Sequence, residues 1–118
     1  MNSKKKLDVK ATRSFARNLK HLMKKRRGIE GLVFAKAEDL ALNPETGHVI
    51  SGTRNTLRKV RLADPVSGKG KSGGFRLIYA WKQGFDAVVL CMVYPKSDRD
   101  DVSPGEQESI LEEIESIL

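Results

Sequence analysis

Residues Leu57 to Lys96 read LRKVRLADPVSGKGKSGGFRLIYAWKQGFDAVVLCMVYPK. Three runs rich in β-branched, leucine and aromatic residues, Leu57–Ala63, Phe75–Trp81 and Phe85–Tyr94, are separated by glycine-bearing connections, the pattern of short strands. The Lys82-Gln83-Gly84 connection is short enough for a hairpin, so the last two strands should be antiparallel. Ala87 to Val93 has no polar interruption, which suits a strand covered on both faces. The same stretch holds Arg58, Lys59, Arg61, Lys69, Lys71, Arg76, Lys82 and Lys96 against only Asp64 and Asp86.

Working outward, helices flank these strands. Leu7 to Lys10 alternates apolar and polar, as a short edge strand does. Thr12 is placed to cap a helix running to about Arg26, with Phe15, Leu19, Leu22 and Met23 on one face. Its other face carries Arg13, Arg17, Lys20, Lys24 and Arg27. Gly28 and Gly31 interrupt the pattern, and a second helix is expected over Val33–Leu42. Asn43-Pro44-Glu45-Thr46-Gly47 is turn chemistry, with Pro44 fixing φ and Gly47 permitting a positive one. Residues 48–56 read as an irregular connection. Ser103-Pro104-Gly105-Glu106 is a capping box with proline at the first helical position. It opens a helix whose apolar stripe is Ile110, Leu111, Ile114, Ile117 and Leu118. The fold class is therefore α+β: a small antiparallel sheet of three to four strands, packed by two N-terminal helices and followed by a C-terminal one. All of residues 1–118 belong to a single domain.

Charge bounds the partners. The net charge is +7 over 118 residues, which favours an acidic partner such as nucleic acid. Residues 1–97 carry 21 Lys and Arg against 7 acids, whereas residues 98–118 carry Arg99 against 8 acids. That acidic segment begins directly after the basic strands. It either flanks their cationic face or packs permanently on the core. Cys91 alone allows no internal disulfide and suits a reducing compartment. MNSKKKLDVK has charge with no apolar core behind it, unlike a secretion signal. No apolar run approaches a membrane span. A cytoplasmic protein without a membrane association is expected.

Strand periodicity places the cations. Lys59 and Arg61 share a face with Leu57, and Arg58, Val60 and Leu62 take the other. Phe75, Leu77, Tyr79 and Trp81 form one face of the next strand, with Arg76 and Ile78 opposite. Projecting together, Lys59, Arg61 and Arg76 would grip one phosphate from several sides. The loop Ser67–Gly74 contains Gly-Lys-Ser but is no nucleotide-binding P-loop. Pro65 stands where that pattern needs glycine, and a strand rather than a helix follows. What remains is a cationic loop able to line phosphates through Lys69 and Lys71. Two distant histidines and one cysteine give no metal-ligand spacing. His21 reads as a surface residue and His48 as part of the irregular connection. No metal and no small-molecule cofactor is expected.

Three blocks carry a resemblance: Lys59-Val60-Arg61-Leu62, GKGKSGGFRLIY ending at Tyr79, and VVLCMVYPK ending at Lys96. With the polar segment Ser97–Val102 and a terminal helix, they resemble the RelE/HigB superfamily of toxins from type II toxin–antitoxin systems. The similarity is sharp over residues 57–99. The resemblance implies a RelE-like fold and a ribosome-dependent mRNA endoribonuclease that inhibits translation without a metal. Its partners would be mRNA on the ribosome and a cognate antitoxin. Carried over residue by residue, it implies catalytic roles for Lys59, Arg61, Arg76 and Lys96. RNA contacts are expected from Arg58, Lys69, Lys71, Tyr94 and Arg99, of which Arg99 is carried over from the family. Two positions depart from RelE: Ser103 stands in place of its catalytic tyrosine, and Ser97 in place of a nearby arginine.

Elementary chemistry constrains the roles. Arginine is not deprotonated in proteins, so Arg61 and Arg76 can only clamp and stabilise charge. Lys59 could act as a base only in its neutral form, and Lys96 is a candidate acid for the leaving oxygen, with Tyr94 or Tyr79 as alternatives. Two other classes fit the same residues: a ParE-like toxin that inhibits gyrase, and a non-catalytic RNA-binding module.

Overall fold

The computed structural model describes residues 5–64, 74–99 and 101–118. Along the chain run β1 (Asp8–Ala11), α1 (Arg13–Lys25), α2 (Ile29–Leu42), a 3-10 turn (Pro44–Thr46), β2 (His48–Val49), β3 (Leu57–Leu62), β4 (Phe75–Ala80), β5 (Ala87–Pro95) and α3 (Pro104–Glu115). These strands form one sheet in the order β1-β5-β4-β3-β2. The α+β class and the three helices are as expected, but the sheet is five-stranded and mixed. β1 runs parallel to β5, pairing Val9 with Val88, because the α1–α2 crossover lies between it and the rest of the sheet. β2 pairs antiparallel with β3 where an irregular connection was expected.

Each helix begins for a local reason. Thr12 donates its backbone N–H to Leu90 O (3.1 Å) and accepts Phe15 N–H on its side chain (2.9 Å). It thus ends β1 and caps α1 at once. Asn18 continues the work of β1 on the β5 edge. Its amide donates to Val93 O (2.9 Å) and accepts from Val93 N–H (2.7 Å). α2 starts four residues earlier than the periodicity suggested, with Gly28 at φ +82° before it. Burial of Ile29 and Val33 one turn apart outweighs the roughly 1 kcal/mol that Gly31 costs inside a helix. At α3, Ser103 and Glu106 form both bonds of the capping box.

The sheet separates two cores. On one face, Phe15, Leu19 and Leu22 of α1 and Ile29, Val33 and Leu40 of α2 meet Leu62, Phe75, Leu77, Tyr79, Val88 and Val93. On the other, Ile110 and Ile114 of α3 meet Leu57, Ile78, Ala80, Val89 and Cys91. β5 is covered on both sides, as its apolar run predicted. A bulge lies in β5, since Ile78 pairs with Met92 while Tyr79 pairs with Leu90. Cys91 and its neighbour Met92 consequently belong to the same core, against strand alternation. Among the described residues no helix is long and apolar enough to cross a membrane.

Candidate nucleic-acid interface

α3 covers only part of its face of the sheet. Beyond it, β3 and β4 continue as a cationic surface, and the register makes the cluster explicit. Arg61 is directly opposite Arg76, and Lys59 is opposite Ile78. Arg76 is in turn opposite Tyr94. Paired residues share a face, so Lys59, Arg61 and Arg76 do project together. They line one cleft of about 390 Å³ with Thr46, His48 and Val60.

Two arginines facing each other across a strand pair repel and destabilise the pairing. Neither forms a described ion pair. Arg76 Nη1 is buried without a hydrogen-bond partner among the described residues. Burying a guanidinium nitrogen that way costs free energy, which a shift of the side chain onto an anion in the cleft would recover. Such a pair can orient a phosphate bidentately and neutralise charge that develops on it.

Two other cations are already engaged. Lys59 Nζ lies 3.3 Å from Asp101, contributed by the segment entering α3. Arg99 donates to Glu106 (2.6 Å) and stacks its guanidinium 5.2 Å from the Tyr94 ring centre. The Arg99 hydrogen bond holds the Glu106 carboxyl below its ordinary range. The same bond raises the affinity of Arg99 for its proton. Acidic residues of the C-terminal segment therefore meet two of the site cations, while the helix itself is built into the core.

Two residues expected to contact RNA, Arg58 and Tyr94, are engaged within the protein, and Lys96 follows the last strand as expected. Arg58 points to the α1–α2 side. There Nη1 donates to Glu45 O and Gly47 O (3.0 Å each), with the guanidinium 5.4 Å from the Trp81 ring centre. It ties a turn to the sheet, and its side chain is not brought to the Arg61–Arg76 cluster. Tyr94 is on the Arg76 rung but buried beneath Arg99, so its ring offers no open stacking surface. Lys96 follows β5, with its backbone N–H on Gly74 O (3.1 Å); it stands at the sheet end past the Arg76–Tyr94 rung. Tyr79 drops out as an acid. Its hydroxyl donates to Pro44 O (2.6 Å) and accepts Gly47 N–H (2.8 Å) in the opposite core, and burial raises its pKa. Lys69 and Lys71 lie outside the described residues.

No protein-family model matches this chain.

Two contributors to the site were hidden from sequence reasoning. His48 sits on β2 directly opposite Lys59, in a two-residue strand too short to display a period. Gly47 was read as a positive-φ turn residue, but its φ is −73°. Its requirement is space: a Cβ there would come within 2.8 Å of the Tyr79 ring and hydroxyl. Among the described residues no group of three or more His, Cys, Asp or Glu could hold a metal ion.

Proposed function

We propose that this protein is a RelE/HigB-like toxin, a ribosome-dependent endoribonuclease that cleaves mRNA and is restrained by a cognate antitoxin. The observation that carries the reading is the Arg61–Arg76 rung: two opposed guanidinium groups, one with a buried unpartnered nitrogen, in a cleft beside Lys59. The like-charge arrangement is unfavourable alone and becomes favourable around a phosphate. In cleavage, the 2′-oxygen attacks the adjacent phosphorus while negative charge grows on the phosphate oxygens. Arg61 and Arg76 stabilise that charge. Lys59 contributes a third cation once Asp101 yields it, and Lys96 can supply the proton for the departing 5′ oxygen.

Single-turnover incubation of a model mRNA on purified ribosomes tests the reading, alongside a gyrase supercoiling assay. Cleavage to a 2′,3′-cyclic phosphate and a 5′-hydroxyl, with supercoiling unaffected, is expected. Inhibition of gyrase without cleavage would point to the ParE-like alternative. RNA binding without either activity would leave a non-catalytic module.

A further inference from the structure

Among the described residues, the cluster of cations in its charged form lacks a group that can take a proton. Arginine donates only, and an ammonium has three donors and no acceptor. Tyr79 is locked in the opposite core, and Tyr94 is buried. Asp101 could accept a proton, but it is paired with Lys59 and lines the adjoining cleft rather than the one holding Arg61 and Arg76. His48 lines both clefts and is exposed to solvent. Imidazole is the side-chain type that gains and loses a proton near neutral pH.

Its location is set by structure rather than chance. The β2–β3 register places His48 on the Lys59 face. Strand geometry then puts its Cα roughly 8 Å from that of Arg61, diagonally across the pair. That separation suits a ribose beside a phosphate held on the arginines. The preceding turn is fixed from below, because Tyr79 and Arg58 both bond to its backbone, including that of the adjacent Gly47.

We propose that His48 is the general base of this cleft and removes the 2′-hydroxyl proton of the bound RNA. The inference rests on the ribonuclease reading above. In the step, a ring nitrogen of His48 takes the proton as the 2′-oxygen forms its bond to phosphorus. The bond from phosphorus to the 5′ oxygen breaks with its electron pair, and that oxygen takes a proton from the Lys96 ammonium. Solvent then removes the proton from His48 and restores the one on Lys96.

The test uses the full chain with a model mRNA on ribosomes under single-turnover conditions. His48→Ala should cleave about 10²–10⁴-fold more slowly, the range for losing a general base, while binding ribosomes as the wild type does. Added imidazole should restore part of the rate in His48→Ala and leave wild type unchanged; His48→Gln, with no cavity for imidazole, should stay slow. An mRNA with sulfur replacing the 5′ bridging oxygen needs no proton on its leaving group, so the His48→Ala defect should persist on it. Disappearance of the defect there would make His48 the acid and overturn the assignment. Full activity of His48→Ala, or slowing without imidazole rescue, would also overturn it. Failure of wild type to cleave would instead remove the ribonuclease reading, and this inference with it.

Discussion

Arg58 and Tyr79 face each other across β3 and β4, and both reach past the sheet edge to hold the backbone of the same turn. One does so with a guanidinium on Glu45 and Gly47 carbonyls, the other with a buried hydroxyl between Pro44 and Gly47. The residue that follows this turn is His48. A pair on the helix-covered face thus determines what stands at the edge of the open one.

Tyr79→Phe keeps the ring but removes the hydroxyl, leaving Pro44 O and Gly47 N–H without their partner. Urea unfolding should report a loss of about 1–3 kcal/mol, the cost of buried groups left unsatisfied. Gly47→Ala should also destabilise, since the new methyl meets a core ring and the Lys59 carbonyl. A Tyr79→Phe protein as stable as wild type would show that the latch contributes nothing.

Arg76→Ala should slow cleavage on ribosomes by about 10²–10³ at saturation, as expected for losing one donor to a developing oxyanion. Folding should survive, because the substitution relieves repulsion from Arg61. A folded Arg76→Ala protein with undiminished single-turnover cleavage would remove this residue from the chemistry.

Asp101→Asn releases Lys59 from its internal partner. RNA binding should tighten, and its salt dependence should steepen by about 0.7 in log–log slope for one added single-strand phosphate contact. Fluorescence anisotropy across a salt series measures both. An unchanged slope would mean that Lys59 does not contact phosphate.

Glu106 links pH to the anchoring of α3. Arg99 and the Ser103 backbone hold its folded-state pKa below the ordinary value. The unfolded chain therefore binds this proton more readily than the folded one. The stabilisation is fully present above the ordinary Glu pKa of about 4.3 and is lost as pH falls through the depressed folded value. Thermal melts of wild type and Glu106→Gln should differ at neutral pH and converge in acid. Parallel curves down to the lowest pH would exclude the linkage.

Removing residues 104–118 should abolish cooperative melting. The deletion strips Ile110 and Ile114 from Leu57, Ile78 and Val89, uncovering one of the two cores. A truncated chain that still melts cooperatively would show that α3 is not part of the core and only flanks the cationic face.

Short-range pattern carried much of this architecture. Period-two alternation in Leu57–Leu62 and Phe75–Ala80 already put Lys59, Arg61 and Arg76 on one face, and Ser103–Glu106 announced α3. Less visible were features decided between distant segments. β1 pairs with β5 across some eighty residues, so its parallel direction left no local mark. His48 and Val49 are too few to display a period. The ion pairs of Lys59 and Arg99 depend on where α3 docks. Arg58 was separable from the cluster by alternation alone, but its turn-holding role required the position of Glu45 and Gly47.

The bulge at Cys91 divides β5 into two half-strands of opposite phase. Before it, odd-numbered residues face α3; after it, even-numbered ones do. Were the same nine residues paired without a bulge, Val93 rather than Tyr94 would come opposite Arg76, and the tyrosine would turn toward α1 and α2. Loss of the Cys91 codon would straighten the strand and leave Met92, Val93 and Tyr94 on their present faces. The bulge that absorbs this odd residue is as much a part of the cationic face as the arginines themselves.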